Sequence, residues 1–446
     1  MELRLPIRCR IAGIGTFLLL AASLPAAETK LTVSTPETCT APVFGWSVAI
    51  SGYSTAADRL IVGSPGYDPV SGIDQDRGAV NIFELGPTGW TSVMWSLLRF
   101  DLDIPTYTGA QLGYSVSMWA DQAVAGAPYL HHRPPGGPTR EDAGATLTSY
   151  KDSFGDWVPA EQSYGWEPSG NFGFAVALQS SILAEGGPGI PADATHMGLV
   201  KTRSLVGGTW WDDEALASSD GGGGFAQSVS AWVNRIAVGA PNDSHTFPGA
   251  GAVYLYRLSG GIWSFEQKLT AADLAAGDGF GYSVAMAGNY LAVGAPGKNS
   301  YRGRVYVFQL SSGVWSQIAA LQAGDGQAAD SLGISVASWD PYLVVGASGD
   351  DDNGEDAGAV YGFRRLAAGY TEVGKRTAGD GWPHDEYGNS VSIYNGTFAV
   401  GSPYTAVAGK TAAGAVYIYD WADLAGHLFS DGFERGNSSR WSSHTP

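Results

Sequence analysis

An all-β fold is predicted for this chain of 446 residues, and three observations predict it. Glycine accounts for 63 residues, and no apolar stripe with the 3.6-residue period of a helix continues beyond two turns. Short motifs also recur, as in "FGWSVAI" from Phe44, "LGYSVSM" from Leu112 and "FGYSVAM" from Phe280. Short strands joined by Gly-rich turns, repeated at regular intervals, are typical of repeat proteins built from small sheets.

Each repeat contains four parts, and each part is predicted to be one strand. The parts are "FGxSVA", "LxVGAP", "GAVYxY" and a run led by Trp, such as "GIWSFEQKL" from Gly261. In the first part, Phe280, Tyr282, Val284 and Met286 alternate with small residues. That alternation predicts a strand with one bulky face and one small face, and the small face lets a neighbouring sheet approach closely.

The turns agree with this division. Gly288-Asn289 and Asn395-Gly396 stand where two-residue hairpins would join the first part to the second. The Pro that follows "VGA" is predicted to end the second strand, because proline has no N–H group to offer its neighbour.

Seven copies of the first part are present, and they begin at Phe44, Leu112, Phe172, Phe225, Phe280, Leu332 and Tyr387. Seven units of four antiparallel strands predict a seven-bladed β-propeller. The third copy departs most from the pattern, with "LAEGGPG" in place of "VGAPG". The length between Leu112 and Phe225 suits two units, so this copy is predicted to form a blade, with six blades as the alternative.

The ring is predicted to close through an N-terminal strand. The sequence after Tyr419 does not match the fourth part, whereas "KLTVSTPETCTAPVFGWS" from Lys30 aligns with "KLTAADLAAGDGFGYS" from Lys268. Residues 30–34 should therefore form the outer strand of the last blade and pair with residues 416–419. A fourth strand that begins at Trp421 is the competing hypothesis. Closure removes the unpaired sheet edges that an open ring would expose.

Three segments are predicted: a signal peptide (1–27), the propeller (28–420) and a short C-terminal tail (421–446). Arg4, Arg8 and Arg10 precede an apolar run too short to span a bilayer, and small residues near Ala26 suit cleavage. An uncleaved membrane anchor is the alternative. The mature protein is expected to be secreted, periplasmic or at the cell surface, with no transmembrane segment. The tail resembles a segment of various exported bacterial proteins, and either a sorting signal or a disordered end fits it.

Charge and cysteine content limit the possible partners and the possible sources of stability. Removal of residues 1–27, which contain three Arg and Glu2, changes the formal net charge from −18 to −20. Such an acidic surface repels phosphate backbones, so no nucleic-acid partner is expected. Cys39 would be the one cysteine left, which excludes an intramolecular disulfide, so stability must come from packing.

The paired "FG" and "GAP" motifs resemble the FG-GAP repeat family, found in integrin α-chains and in exported bacterial and fungal proteins. The resemblance runs from about Phe44 to Tyr419 and implies a seven-bladed propeller. It also implies an adhesion-like binding module that recognises a protein or a glycan. The alternatives are a sugar-binding lectin, since some fungal members bind sugars between blades, and a propeller hydrolase with its site at the central channel.

The same resemblance implies calcium, which integrin-like blades bind with an acidic D-x-D-x-D-G loop. The nearest likeness is "GDDDNGEDAGAVY" from Gly349, in a different loop from the family's. Asp351 and Asn353 match the pattern, and Asp356 lies one residue away from the last ligand position. These three residues are the candidate calcium ligands, because calcium prefers oxygen donors. A solvated turn is the alternative interpretation.

No catalytic motif is found, so an enzyme is not expected. One repeat position is a serine in six copies, namely Ser47, Ser115, Ser228, Ser283, Ser335 and Ser390. Catalysis needs one serine and a "GxSxG" elbow is missing, so these serines are predicted to be structural. His131 and His132 are adjacent and would face opposite ways on an extended segment, which makes a poor metal site.

One face of the ring should carry the long loops. In an up-and-down blade, the loops between strands two and three share a side with the loops that enter the next blade. The first group includes residues 66–77, 129–142, 242–250 and 348–357, and the second contains Asp278, Asp325 and Asp380. Variable loops on a rigid scaffold concentrate binding sites, so this loop-rich acidic face is the predicted recognition surface. The alternative is that the acids only keep the face soluble.

Overall fold

A seven-bladed β-propeller is present, as the sequence predicts. The computed structural model describes residues 28–33, 42–52, 58–67, 76–96, 109–133, 137–191, 197–407 and 409–424. Within them, seven four-stranded antiparallel sheets form, and the innermost strand of each sheet packs against those of two neighbours. The predicted signal peptide, Cys39 and the tail from residue 425 lie outside the described residues.

The blades are numbered along the chain, and the strands of each blade are numbered from the channel outward. Blade 1 contains Ser47–Ser51, Arg59–Ser64, Ala79–Gly86 and Gly89–Ser96. Blade 2 contains Ser115–Trp119, Gln122–Ala127, Ala145–Lys151 and Trp157–Tyr164. Blade 3 contains Ala175–Gln179, Ile182–Pro191, Met197–Val206 and Thr209–Leu216. Blades 4 and 5 contain Ser228–Trp232, Arg235–Ala240, Ala252–Ser259 and Ile262–Leu269; and Ser283–Ala287, Tyr290–Ala295, Arg304–Ser311 and Val314–Leu321. Blades 6 and 7 contain Ser335–Trp339, Tyr342–Ala347, Ala359–Leu366 and Gly369–Arg376; and Ser390–Tyr394, Thr397–Ser402, Ala415–Asp420 and Thr29–Leu31. The degenerate third copy therefore forms a complete blade.

The N-terminal strand closes the ring. Thr29–Leu31 runs antiparallel to Ala415–Asp420, with Lys30 opposite Tyr417 and Leu31 opposite Val416. The prediction is confirmed for residues 30 and 31. The strand begins one residue earlier than predicted and ends at Leu31, so Thr32 and Val33 lie beyond it, and Ser34 lies outside the described residues. The competing strand does not form, because Trp421–Leu424 is a helical turn that buries Trp421 and Leu424 against blade 6.

Adjacent blades meet at a glycine of the second strand. In six blades, a Cβ atom on this glycine would lie 1.8–2.1 Å from a carbonyl oxygen of the next blade; the glycines are Gly63, Gly126, Gly239, Gly294, Gly346 and Gly401. The six repeated serines donate hydrogen bonds of 2.7–2.8 Å to the same carbonyl groups. The structural role predicted for these serines is confirmed. At the junction of blades 3 and 4, Ala175 replaces the serine and Ala226 replaces the glycine whose carbonyl it would bind.

The first part of the repeat is shorter as a strand than its alternation predicts. The strand begins at Ser283, because Gly281 adopts a φ of +93° that only glycine takes readily. Phe280 is fully buried, whereas Tyr282 is 40% exposed. The prediction that both side chains lie on one face is therefore wrong. The hairpins and strand ends are confirmed: Ala287 pairs with Tyr290, Tyr394 pairs with Thr397, and the second strand of blade 5 ends before Pro296.

Candidate binding face

In blades 4 and 6, the two sets of loops lie on one side of the ring, as predicted, and a buried tyrosine bonds to both loops. In blade 6, the Tyr361 hydroxyl lies 2.8 Å from Asp325 of the entering loop and 2.8 Å from Asp350 of the loop between strands two and three. In blade 4, Tyr254 bonds Asp220 and Asp243 from the two equivalent loops. In each of these blades, the tyrosine of the third strand thus holds both loops in place.

A lysine stands opposite each of these tyrosines on the fourth strand. Lys268 pairs with Tyr254, and its ammonium lies 2.7 Å from Asp220 and 2.9 Å from Asp243. Lys375 pairs with Tyr361, and its Nζ lies 3.1 Å from Asp325, 2.7 Å from Asp350 and 2.6 Å from Asp352. Each ammonium also lies about 5 Å from the tyrosine ring, within cation–π distance.

These contacts shift the pKa values of the groups involved. Burial opposes ionisation of Asp220, Asp243 and Asp325, but hydrogen bonds from the tyrosine and lysine outweigh it and lower their pKa values. Burial alone would lower the pKa of Lys375, yet its three carboxylate partners raise it overall. Lys375 and Asp325 therefore remain charged together over a wide pH range.

Blades 5 and 7 build the same cluster with changes. In blade 7, Lys30 lies 2.5 Å from Asp380, which also accepts a 2.8 Å hydrogen bond from Tyr417. In blade 5, Ala320 stands opposite Tyr306, so the fourth strand offers no ammonium. The positive charge comes instead from Lys298, which lies in the loop between strands two and three and 2.8 Å from buried Asp278.

The three candidate calcium ligands have separate partners in the structure. The Asp351 carboxylate accepts a 2.8 Å hydrogen bond from the backbone of Asp356, and the Asn353 amide donates to the carbonyl of Ala378. The carboxylate of Asp356 itself lies 3.5 Å from the His384 ring. Asp351 also lines a cavity of about 60 Å³ with Asp325, Asp330, Asp350 and Asp352. Calcium binding by these residues stays a prediction.

An open cleft lies beside this loop. It has a volume of about 510 Å³ and lies between the loop that enters blade 7 and the loop between that blade's second and third strands. Trp382, Pro383 and Glu386 line one wall, and Tyr404 and Thr411 line the other. The Trp382 side chain is 72% exposed, which is unusual for so large an apolar group.

The wall that carries Trp382 is held by hydrogen bonds. The backbone N–H of Trp382 donates to the buried carboxylate of Asp385 at 3.0 Å. The backbones of His384 and Glu386 donate to the carbonyls of Glu355 and Asp356, at 2.7 and 3.1 Å. Burial raises the pKa of Glu386, and the nearby Asp356 raises it further. The cleft is thus a preformed surface that combines an aromatic ring with a carboxyl group.

A model of the FG-GAP repeat matches residues 263–308, 315–363 and 370–419. Residues 263–419 therefore contain FG-GAP repeats. The matched segments run from the fourth strand of blade 4 to the third strand of blade 7, and they contain the cleft and the lysine clusters of blades 5 and 6. No curated protein matches the chain.

The channel of this FG-GAP propeller differs from the loop face. Among the described residues, the seven innermost strands contain no Asp, Glu, His, Cys, Lys or Arg. Aromatic rings cover one end, where Trp339 lies 6.0 Å from Trp232 and 4.4 Å from Tyr394. At the other end, Tyr114 lies 5.6 Å from Trp46. Tyr394, at the end of one of these strands, is the ionisable side chain that they contribute in the described part of the chain.

Sequence reasoning about the FG-GAP repeats missed the lysine clusters and the cleft. The clusters could have been predicted, because alignment of the repeats places Lys268 and Lys375 at one position and Tyr254 and Tyr361 at another. The cleft gives no such signal, because Trp382 occurs in one loop only. In the described part of the chain, no helix is long and apolar enough to span a membrane.

Proposed function

We propose that this FG-GAP propeller is a secreted or surface-exposed binding module that recognises a glycan through its loop-rich acidic face. The observation that carries the proposal is the cleft beside Trp382, a concave surface with an exposed indole on a hydrogen-bonded wall. Concave sites that combine aromatic surface with a few polar groups are typical of ligand binding.

Sugar chemistry suits this lining. The C–H faces of a pyranose ring pack against an aromatic face, and the flat indole of Trp382 offers such a face to solvent. Sugar hydroxyl groups need hydrogen-bond partners, which the Glu386 carboxyl, the Tyr404 phenol and the Thr411 hydroxyl can supply from both walls. The predicted signal peptide supports a location where glycans of other cells are within reach.

A protein ligand is the second candidate. The formal net charge of −18 and the aspartates of the loop face favour it, because an acidic surface steers and orients a basic partner. Exposed tryptophans also contribute strongly to protein interfaces.

The test is a glycan array probed with the mature protein and with Trp382→Ala. We expect the variant to lose at least about tenfold in affinity for the sugars that the wild type binds. Trp211→Ala is the matched control, because its indole is 61% exposed on the outer strand of blade 3 and should not affect binding.

Two outcomes would change the proposal. Binding to a protein in a pull-down from cell surfaces, lost in Trp382→Ala and without any glycan bound on the array, would favour the protein ligand. Equal binding by wild type and Trp382→Ala would contradict a role for the cleft.

A further inference from the structure

The lysine clusters of blades 4, 6 and 7 share one geometry. In each, a third-strand tyrosine and a fourth-strand lysine are direct cross-strand partners: Tyr254 with Lys268, Tyr361 with Lys375, and Tyr417 with Lys30. Each ammonium contacts the aspartate of the loop that enters the blade, namely Asp220, Asp325 or Asp380. In blades 4 and 6 it also contacts a nearly fully buried aspartate from the second loop, Asp243 or Asp350.

Blade 5 keeps the positive charge of the cluster, although a lysine at a different position carries it. Alignment from the repeated "VGA" places Lys298 at the loop position that is Asp243 in blade 4 and Asp350 in blade 6. The same blade has Ala320 where the others have their strand lysine. The cation has moved from strand to loop, its side chain is buried, and it still contacts the aspartates of the entering loop.

The donor set around these ammonium groups is one that metal ions use. Asp220, Asp243 and His245 each offer a ligand atom, and these atoms lie within 4.8 Å of one another. In blade 6, five aspartates line the cavity of about 60 Å³. Carboxylates this close repel one another and need a positive charge between them. Here Lys268 and Lys375 supply that charge at 2.6–3.1 Å.

We propose that these four lysines are built-in cations that neutralise the loop aspartates in place of a divalent ion and make the loop face independent of calcium. A bound ion stabilises a fold only in proportion to the logarithm of its concentration, whereas a tethered ammonium is always present. For the loop around Asp351, the proposal favours the solvated turn over the calcium site, because Lys375 already neutralises the carboxylates beside it.

The test removes one of these lysines and measures whether a metal ion binds in its place. Lys375→Met keeps the length of the side chain and frees Asp325, Asp350 and Asp352. We expect wild-type protein to show no binding by calorimetry and no shift of Tm in millimolar calcium. Lys375→Met should melt at a lower temperature, recover with calcium, and bind one ion with a Kd of about 0.1–1 mM.

Two further variants serve as controls. Lys151→Met removes a partly buried lysine whose Nζ lies 2.6 Å from Glu84. Arg59 lies 3.5 Å from the same carboxylate and stays in the variant, so the variant should lose stability without recovery in calcium. Lys375→Met combined with Asp350→Asn should lose the new calcium site. Lys268→Met provides an independent cluster, which should bind zinc because its donors include His245.

Two results would overturn the proposal. The first is calcium binding by the wild type that disappears in Asp350→Asn, since the cluster would then hold an ion beside its lysine. The second is that neither Lys375→Met nor Lys268→Met gains metal binding or metal-dependent refolding. A Lys375→Met protein that folds only when calcium is present would support the proposal.

Discussion

Blades 4 to 7 and blades 1 to 3 have the same strand order but hold their loops differently. At the register where blades 4, 6 and 7 pair tyrosine with lysine, blade 1 has Asn81 opposite Trp95. Blade 2 has Leu147 opposite Gln162, and blade 3 has Lys201 opposite Ala215. The first three blades therefore form the fold without the buried tyrosine and its lysine.

Some charged contacts in the first three blades join strands of neighbouring blades, and others lie within one blade, as between Arg203 and Asp212. Lys151 of blade 2 lies 2.6 Å from Glu84 of blade 1, and Arg203 of blade 3 pairs with Glu161 of blade 2. The two parts of the ring therefore share one kind of contact and differ in another. The glycine and serine contacts between blades build the ring in both halves, whereas the ion clusters organise the loop face in one half.

The largest expected effect is loss of ring closure in blade 7, which takes its lysine from the opposite end of the chain. A protein that begins at residue 34 lacks Lys30 and the buried side chains of Leu31 and Val33. It should be less stable than one that begins at residue 28 by on the order of 5 kcal/mol, because burial and ladder hydrogen bonds are both lost. Urea denaturation of the two proteins measures this, and equal midpoints would contradict the role of the strand.

A second prediction tests the glycine contacts between adjacent blades, which both halves share. A Cβ atom would lie 1.8 Å from the Gly173 carbonyl oxygen in Gly126→Ala, and 1.9 Å from that of Gly388 in Gly346→Ala. Both substitutions should cost about 3 kcal/mol, because the blades must move apart. Gly86→Ala is the control, since its nearest neighbour would lie at 3.8 Å. A large cost in one half only would show that the halves are built by different contacts.

The smallest effect concerns pH and should distinguish the halves. Tyr361→Phe removes the hydroxyl that bonds Asp325 and Asp350, and should cost about 1–2 kcal/mol at pH 7. Burial opposes ionisation of Asp325, but bonds from Tyr361 and Lys375 lower its pKa below the unfolded value of about 3.9. Its contribution is therefore complete above that pH and is lost as the pH falls through the lowered value.

The measurement is the free energy of unfolding of wild type and variant between pH 7 and pH 2. The difference between them should shrink below about pH 4. Tyr150→Phe is the control from blade 2, where the side chain is 45% exposed, and it should show no such trend. A difference that stays constant with pH would mean that Tyr361 contributes through packing alone.

Much of the fold was predictable because each repeat carries the same local information. Period-two alternation, Asn395-Gly396 and the Pro after "VGA" define strands and turns within about ten residues, so seven copies reinforce one another. Alignment of Lys30 with Lys268 also identified the closing strand. The local error was at Gly281, whose positive φ is a backbone property that the alternation of side chains cannot reveal.

The sequence by itself determined the number of blades, their strand order and the closure of the ring, because these depend on contacts that every repeat encodes locally. Only the tertiary structure decided which loop side chains meet. Asp220, Asp243 and Lys268 come from three separate segments, and the packing of blade 4 brings them together. The tertiary structure likewise leaves Trp382 exposed beside Glu386 and Tyr404, since loops of different length and sequence follow no period from which their neighbours can be read.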